Sequence, residues 1–198
     1  MSPKVRSAKG VVFIAIMGAL GNVLSLLSIT VMPLVPSIPL GPISISIALD
    51  MSHLATFIAA LFGGPVVGGL TGMIGGLIAA FQFGFSKGNF VTGFGLPIGK
   101  AMTGVAAGLI MNAFGLINRR RLLMVPVTVV AYLPEAVYTA LLFIAVLPPF
   151  FGLSVWLASL IAAQIVAKAF VEMVIMGLIL AALLKNQGFT NYAKGFFG

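Results

Sequence analysis

The chain has 198 residues, 61% of them hydrophobic and only 7% charged, and its formal net charge is +8. Soluble domains average about 25% charged residues, so this composition, with a mean hydropathy of +1.21, describes an all-α integral membrane protein folded as one domain over residues 1–198. No stretch between the apolar runs is long enough for a soluble ATPase. The basic residues are scattered or flank apolar runs, so the charge speaks of topology and lipid contact and not of nucleic acid. Cysteine is absent, which excludes a disulfide frame and a thiolate metal site.

In chain order, residues 1–10 carry Lys4, Arg6 and Lys9 ahead of a first apolar span, about 11–31. That run is too long for a signal peptide, lacks a convincing cleavage site and is followed by further spans, so it reads as retained. Residues 32–44 hold Pro33, Pro36, Pro39 and Pro42 and predict an extended, stiff loop. A second span, about 45–62, ends at Gly63-Gly64-Pro65. The third, about 66–83, repeats small residues every four positions (Gly64, Gly68, Gly72, Gly76, Ala80, Gly84), a face that lets a neighbouring helix approach closely. A polar, glycine-containing loop with Lys87 and Asn89 precedes a fourth span, about 97–117, with Pro97 suited to its first turn. Asn118-Arg119-Arg120-Arg121 forms a basic turn. The fifth span, about 122–147, contains Pro126 and Pro134 and stops at Pro148-Pro149. The sixth, about 155–184, is followed by a polar tail.

Six transmembrane helices put both termini on one side. With the termini in the cytoplasm, Lys4, Arg6, Lys9, Arg119, Arg120, Arg121, Lys185 and Lys194 are internal and only Lys87 is external, which the positive-inside rule favours. The expected location is the cell (plasma) membrane.

Inside the spans, ionisable residues are few. In the sixth, Gln164, Lys168 and Glu172 fall at i, i+4 and i+8 and share one helical face. A Lys or Glu at the bilayer centre costs roughly 3 kcal/mol on insertion scales, so such residues mark function or are paired. At about 1.5 Å per residue, Asp50, His53, Lys100, Glu135 and Lys168 all come between the outer surface and somewhat past the midplane. Their common depth predicts an outward-opening pocket roofed by the proline-rich loop. Each also has a structural reading. Asp50 could cap a helix, His53 could be a satisfied core histidine, Lys100 could snorkel to the interface, and Lys168 could simply pair with Glu172. Glu135 needs a partner, either Lys168 or a ligand, and Tyr138 shares its face at i+3. Trp156 fits an aromatic belt.

Catalysis is not expected. The single histidine lacks a nucleophile-elbow serine, no ligand set with metal spacing occurs, and no phosphate loop is present. No cofactor or metal is called for. Binding or translocation of a small polar or zwitterionic solute is the expected activity.

Three stretches carry a resemblance to a known family: Ala15-Ile-Met-Gly-Ala19 in the first span, Ile47-Ala-Leu-Asp50-Met-Ser-His53-Leu through Phe62-Gly-Gly-Pro65-Val-Val-Gly68, and the polar stripe of spans five and six. With six short spans and a proline-rich first loop, the chain resembles the substrate-binding S component of energy-coupling factor (ECF) vitamin transporters, over essentially its whole length. The resemblance implies an S-component-like bundle, a vitamin-like small-molecule substrate, and as partners a transmembrane coupling subunit contacted through Ala15 and Ala19 and two cytoplasmic ATPases. It implies that the subunit topples in the membrane with the first loop as lid. It also implies ligand contacts from Lys100, Glu135, Tyr138, Gln164, Lys168 and Asn89. No aromatic-rich pocket of the kind expected of a thiamine binder is visible. A self-sufficient ion-coupled secondary transporter, with Lys168, Glu172 and Glu135 as a proton relay, is the alternative; no inverted repeat of broken helices supports it.

Overall fold

The computed structural model describes residues 7–40, 43–46, 49–116 and 121–197. Lys4, Arg6 and residues 118–120 of the basic turn lie outside them. Among the described residues, five helical segments are long and apolar enough to cross a membrane: Ala8–Leu34, Pro65–Lys87, Phe90–Phe114, Met124–Phe151 and Val155–Leu183. The second expected span is different in kind.

Helix α1 (Ala8–Val31) starts where Ser7 Oγ accepts the Gly10 amide at 3.0 Å and runs into a 3-10 turn, Met32–Leu34. The proline-rich stretch then forms a ribbon and not a plain loop. Strands β1 (Ser37–Leu40) and β2 (Ile43–Ser46) pair antiparallel, with Ser37 opposite Ser46 and Leu40 opposite Ile43. The alternation Ile43-Ser-Ile-Ser46 is a period-2 signal, and Pro39 is tolerated because each strand of a two-stranded ribbon has an open edge. Residues 45–46 therefore belong to a strand. Helix α2 begins only at His53 and ends at Gly63, 11 residues, about 16 Å, too short to cross a bilayer. All of α2 except Leu54 is buried, so it is the central helix about which the others are arranged.

Gly64, at φ +85°, turns the chain into α3 (Pro65–Gly75), and a break at Gly76 separates α3 from α4 (Leu77–Phe83). The break is patched from α1: Asn22 Nδ2 donates to the Ile74 carbonyl at 2.9 Å, and its Oδ1 accepts the Ile78 amide at 3.0 Å. One side chain thus satisfies both backbone groups that the interruption exposes, as an apolar surrounding requires.

The small-residue face of α3 lies against α5 (Phe90–Phe114). A methyl group on Gly104 would land on the Gly68 carbonyl, and one on Gly72 on the Lys100 carbonyl. This is backbone-to-backbone contact that only glycine permits. Helix α5 starts seven residues before the expected position, because Asn89 Oδ1 caps the Thr92 amide at 2.9 Å; Pro97 is consequently inside the helix.

Helix α6 (Met124–Leu141) passes into a π-helical turn, Leu142–Val146, and a last short helix, α7 (Leu147–Phe151). Pro148 and Pro149 do not end the span. They open α7, where proline's missing donor is harmless. Helix α8 (Val155–Leu183) matches its expectation to within a residue, starting at a Ser154 cap. The tail is not merely polar: α9 (Gln187–Phe197) seats Ala193 and Phe189 against the bundle, the Phe189 ring 6.0 Å from Phe62.

Replacing Gly104 by valine should cost about 3 kcal/mol or more, beyond ordinary overpacking, because the obstacle is a carbonyl that cannot move aside. Thermal unfolding of the detergent-solubilised variant should fall well below that of Gly195→Ala, where a Cβ meets nothing within 4 Å and the backbone is not left-handed.

Candidate ligand-binding cavity

Among the described residues, α2, α5, α6 and α8 line a cavity of about 500 Å³. Its wall includes Asp50 from the connector ahead of α2, His53 at the start of α2, and Lys100 from α5. Glu135 comes from α6, and Gln164, Lys168 and Glu172 from α8; Asn89 lies at the start of α5. Apolar walls come from Met32, Phe83, Leu96, Tyr132, Phe143 and Ile165. An apolar lining with a few convergent polar groups is the usual character of a small-molecule site.

Two polar networks hold this wall. In the first, the connector 49–52 is tied on three sides. Lys100 Nζ, 4% exposed, bonds Ser52 Oγ and lies 3.4 Å from Asp50 Oδ2. The Asp50 amide donates to Glu172 Oε1 at 2.8 Å, and the Met51 amide to Ser28 Oγ at 3.4 Å. Asp50 Oδ1 accepts the Ser52 amide at 3.0 Å, closing a turn in front of α2. The two oxygens of the Asp50 carboxylate thus face the Ser52 amide and the Lys100 ammonium. Glu172 also stands 3.5 Å from the Lys168 ammonium, so it joins the connector to α8.

In the second network, Glu135 Oε2 lies 3.0 Å from His53 Nε2 and accepts the Thr103 hydroxyl at 2.5 Å. Its partner is therefore His53 and Thr103, not Lys168. The Tyr132 ring stands perpendicular to those of His53, at 6.3 Å between centroids, and Phe170, at 5.4 Å.

Eight residues singled out from the sequence line the cavity: Asp50, His53, Asn89, Lys100, Glu135, Gln164, Lys168 and Glu172. Tyr138 does not. It lies over α5, its hydroxyl 3.4 Å and its ring 3.5 Å from where side chains at Gly95 and Gly99 would begin. The cavity tyrosine is Tyr132, three residues before Glu135, and Thr139, four after it, completes that stripe. Helical periodicity from Glu135 reaches all three; the neighbouring helix decides which side is covered. Lys100 does not snorkel, being buried on Ser52 and Asp50. Asn89 caps α5 as well as lining the wall. Ser52, Thr92 and Thr103 carried no sequence signal, because an isolated hydroxyl in an apolar run is common. Phe143 reaches the wall from the π turn, a feature often found at functional sites. Ala15 and Ala19 are exposed on α1, while Gly18 and Gly21 face α3.

No family model, curated protein or solved structure matches the chain. Fold and cavity together define a helical multi-pass membrane protein with a charged internal cavity.

Lys100→Met leaves Asp50 and Ser52 without their cation and should destabilise the protein by roughly 2–3 kcal/mol, less than for a fully enclosed pair because Asp50 is partly exposed. The double variant Lys100→Met, Asp50→Asn should lose less than the sum of the single losses in detergent melts.

Proposed function

We propose that the protein is a membrane-embedded, high-affinity substrate-binding subunit of the ECF type, an S component that captures a vitamin-like micronutrient and has no transport energy of its own. The observation that carries this reading is the cavity of about 500 Å³, because most of the ionisable groups inside the spans converge on it. Its size suits a vitamin-sized molecule. The β1–β2 ribbon leads directly into the connector that forms part of the wall, a position fit for a lid. Ala15 and Ala19, exposed on α1, leave a shallow small-residue strip where a coupling subunit could seat.

In this proposal the chain makes six crossings, with the ribbon, connector and α2 together serving as the second. Both termini are cytoplasmic by the distribution of basic residues, and the membrane is the cell membrane. Partners are a transmembrane coupling subunit and two cytoplasmic ATPases. Binding fits the site better than catalysis: among the described residues, no hydroxyl or thiol is hydrogen-bonded to His53.

Mass spectrometry of small molecules retained by the purified protein should yield a ligand. Lys168→Ala and Glu135→Ala should each weaken its binding; unchanged affinity in both would remove the cavity assignment. Bulky residues at Ala15 and Ala19 should abolish cellular uptake and spare binding. In proteoliposomes the protein alone should bind without accumulating ligand, whereas uptake driven by an ion gradient would favour the secondary transporter.

A further inference from the structure

Every carboxylate on the cavity wall has a basic partner: Lys100 for Asp50 at 3.4 Å, Lys168 for Glu172 at 3.5 Å and His53 for Glu135 at 3.0 Å. The pairs differ in what they leave accessible. His53 and Glu135 are closed together, with 7% and 9% of their side chains exposed, so this pair opens no charge to a ligand. In each of the other two pairs one member is closed and one is open, with opposite polarity. Lys100 is 5% exposed and its partner Asp50 30%; Glu172 is 7% exposed and its partner Lys168 24%. The open charges among these pairs are thus one carboxylate and one ammonium, each backed by a closed counter-ion.

The two also belong to one joint. Glu172 Oε1 accepts the Asp50 amide at 2.8 Å and lies 3.5 Å from Lys168 Nζ, so a single oxygen separates the Lys168 ammonium from the Asp50 backbone. Charge balance decides what suits such a pair of openings. A ligand with a net charge of either sign would bring an ion without a counter-ion into a mostly apolar enclosure, which is expensive. A neutral amide would give both open charges only dipolar contacts, weaker than ionic hydrogen bonds. A zwitterion adds no net charge and meets both.

We infer that the cavity takes a zwitterionic ligand with its ammonium and carboxylate on the same or adjacent carbons, an amino-acid-type head, on an apolar body. The ammonium meets Asp50 and the carboxylate meets Lys168, while the body lies against Phe83, Leu96, Phe143 and Ile165. This rests on the reading of the cavity as a ligand site and narrows it to a substrate class.

Four probes sharing one phenyl body separate the charges: phenylalanine, phenethylamine (ammonium alone), hydrocinnamate (carboxylate alone) and hydrocinnamamide (neither). Each is titrated calorimetrically into the purified full-length protein and into protein-free micelles. Phenylalanine should bind about tenfold or more tighter than either singly charged probe, as expected of one added charge contact, and hydrocinnamamide no tighter than those. Asp50→Asn should bring phenylalanine down to the affinity of hydrocinnamate while that probe stays bound, which also reports that the variant is folded. Lys168→Met should bring phenylalanine down to the affinity of phenethylamine, with phenethylamine still bound. The comparison in the unmodified protein decides even where a variant fails to fold. The inference is overturned if a singly charged probe or the amide binds as tightly as phenylalanine, or if phenylalanine keeps its advantage in both variants; the cavity would then stand as a site for another charge class. Saturable binding by none of the probes also overturns it, and absence of any co-purifying small molecule as well would remove the binding-subunit reading.

Discussion

The structure depends on how an apolar interior accommodates charge. Inside the bundle an unpaired ion is far more expensive than a hydrogen-bonded pair, and this chain carries only three acidic residues. All three are paired, and all three sit on one cavity wall. Two of the pairs cross between elements that are remote in sequence, connector to α5 and α2 to α6, and so fix tertiary geometry as well as compensating charge. The third, Lys168 with Glu172, lies within α8, and Glu172 reaches the connector by accepting the Asp50 amide. The connector 49–52 is the junction. It has no regular structure to satisfy its own amides, so it borrows Glu172, Ser28 and Asp50 as acceptors.

Around that polar centre, packing relies on the absence of side chains. The α3–α5 contact brings carbonyl groups against glycines, which gains van der Waals contact where lipid supplies no hydrophobic drive between helices. The price of so much glycine is weak intrinsic helix preference, and α3 breaks from α4 at Gly76 where glycines accumulate. Asn22 closes that break, and in doing so locks α1 to α3 near the connector end of the bundle. A small-residue face and an asparagine that look independent in the sequence are parts of one joint.

The cavity wall combines helical and non-helical elements. His53 and Glu135 come from helices held within the bundle, the first from the buried α2. Asp50 comes from a segment with no secondary structure that follows the β1–β2 ribbon in the chain. A ligand that engages Asp50 would therefore act on the element nearest the ribbon. This is the physical basis on which binding and covering of the cavity can be linked in the proposed capture subunit.

Much was legible from residue types alone. Composition determined the helical membrane class, and unbroken apolar runs determined α1 and α8 closely, because a long apolar helix needs no partner to be recognised. The residues on the cavity wall were also legible, since ionisable groups in apolar runs are rare and conspicuous. What the sequence left undecided was everything that depends on a neighbour. Hydropathy cannot distinguish a strand from a helix in Ile43-Ser-Ile-Ser46 when both suit an apolar setting, so the second span came out too long. Pro148-Pro149 reads as a stop, but a π turn followed by a fresh helical start absorbs it. Glu135 was a charge in search of a cation, and only the crossing of α2, α5 and α6 assigned it to His53 and Thr103. The same crossing turned Tyr132 inward and Tyr138 onto Gly95 and Gly99. Residue chemistry determined that the buried charges would have partners, and tertiary packing decided which ones.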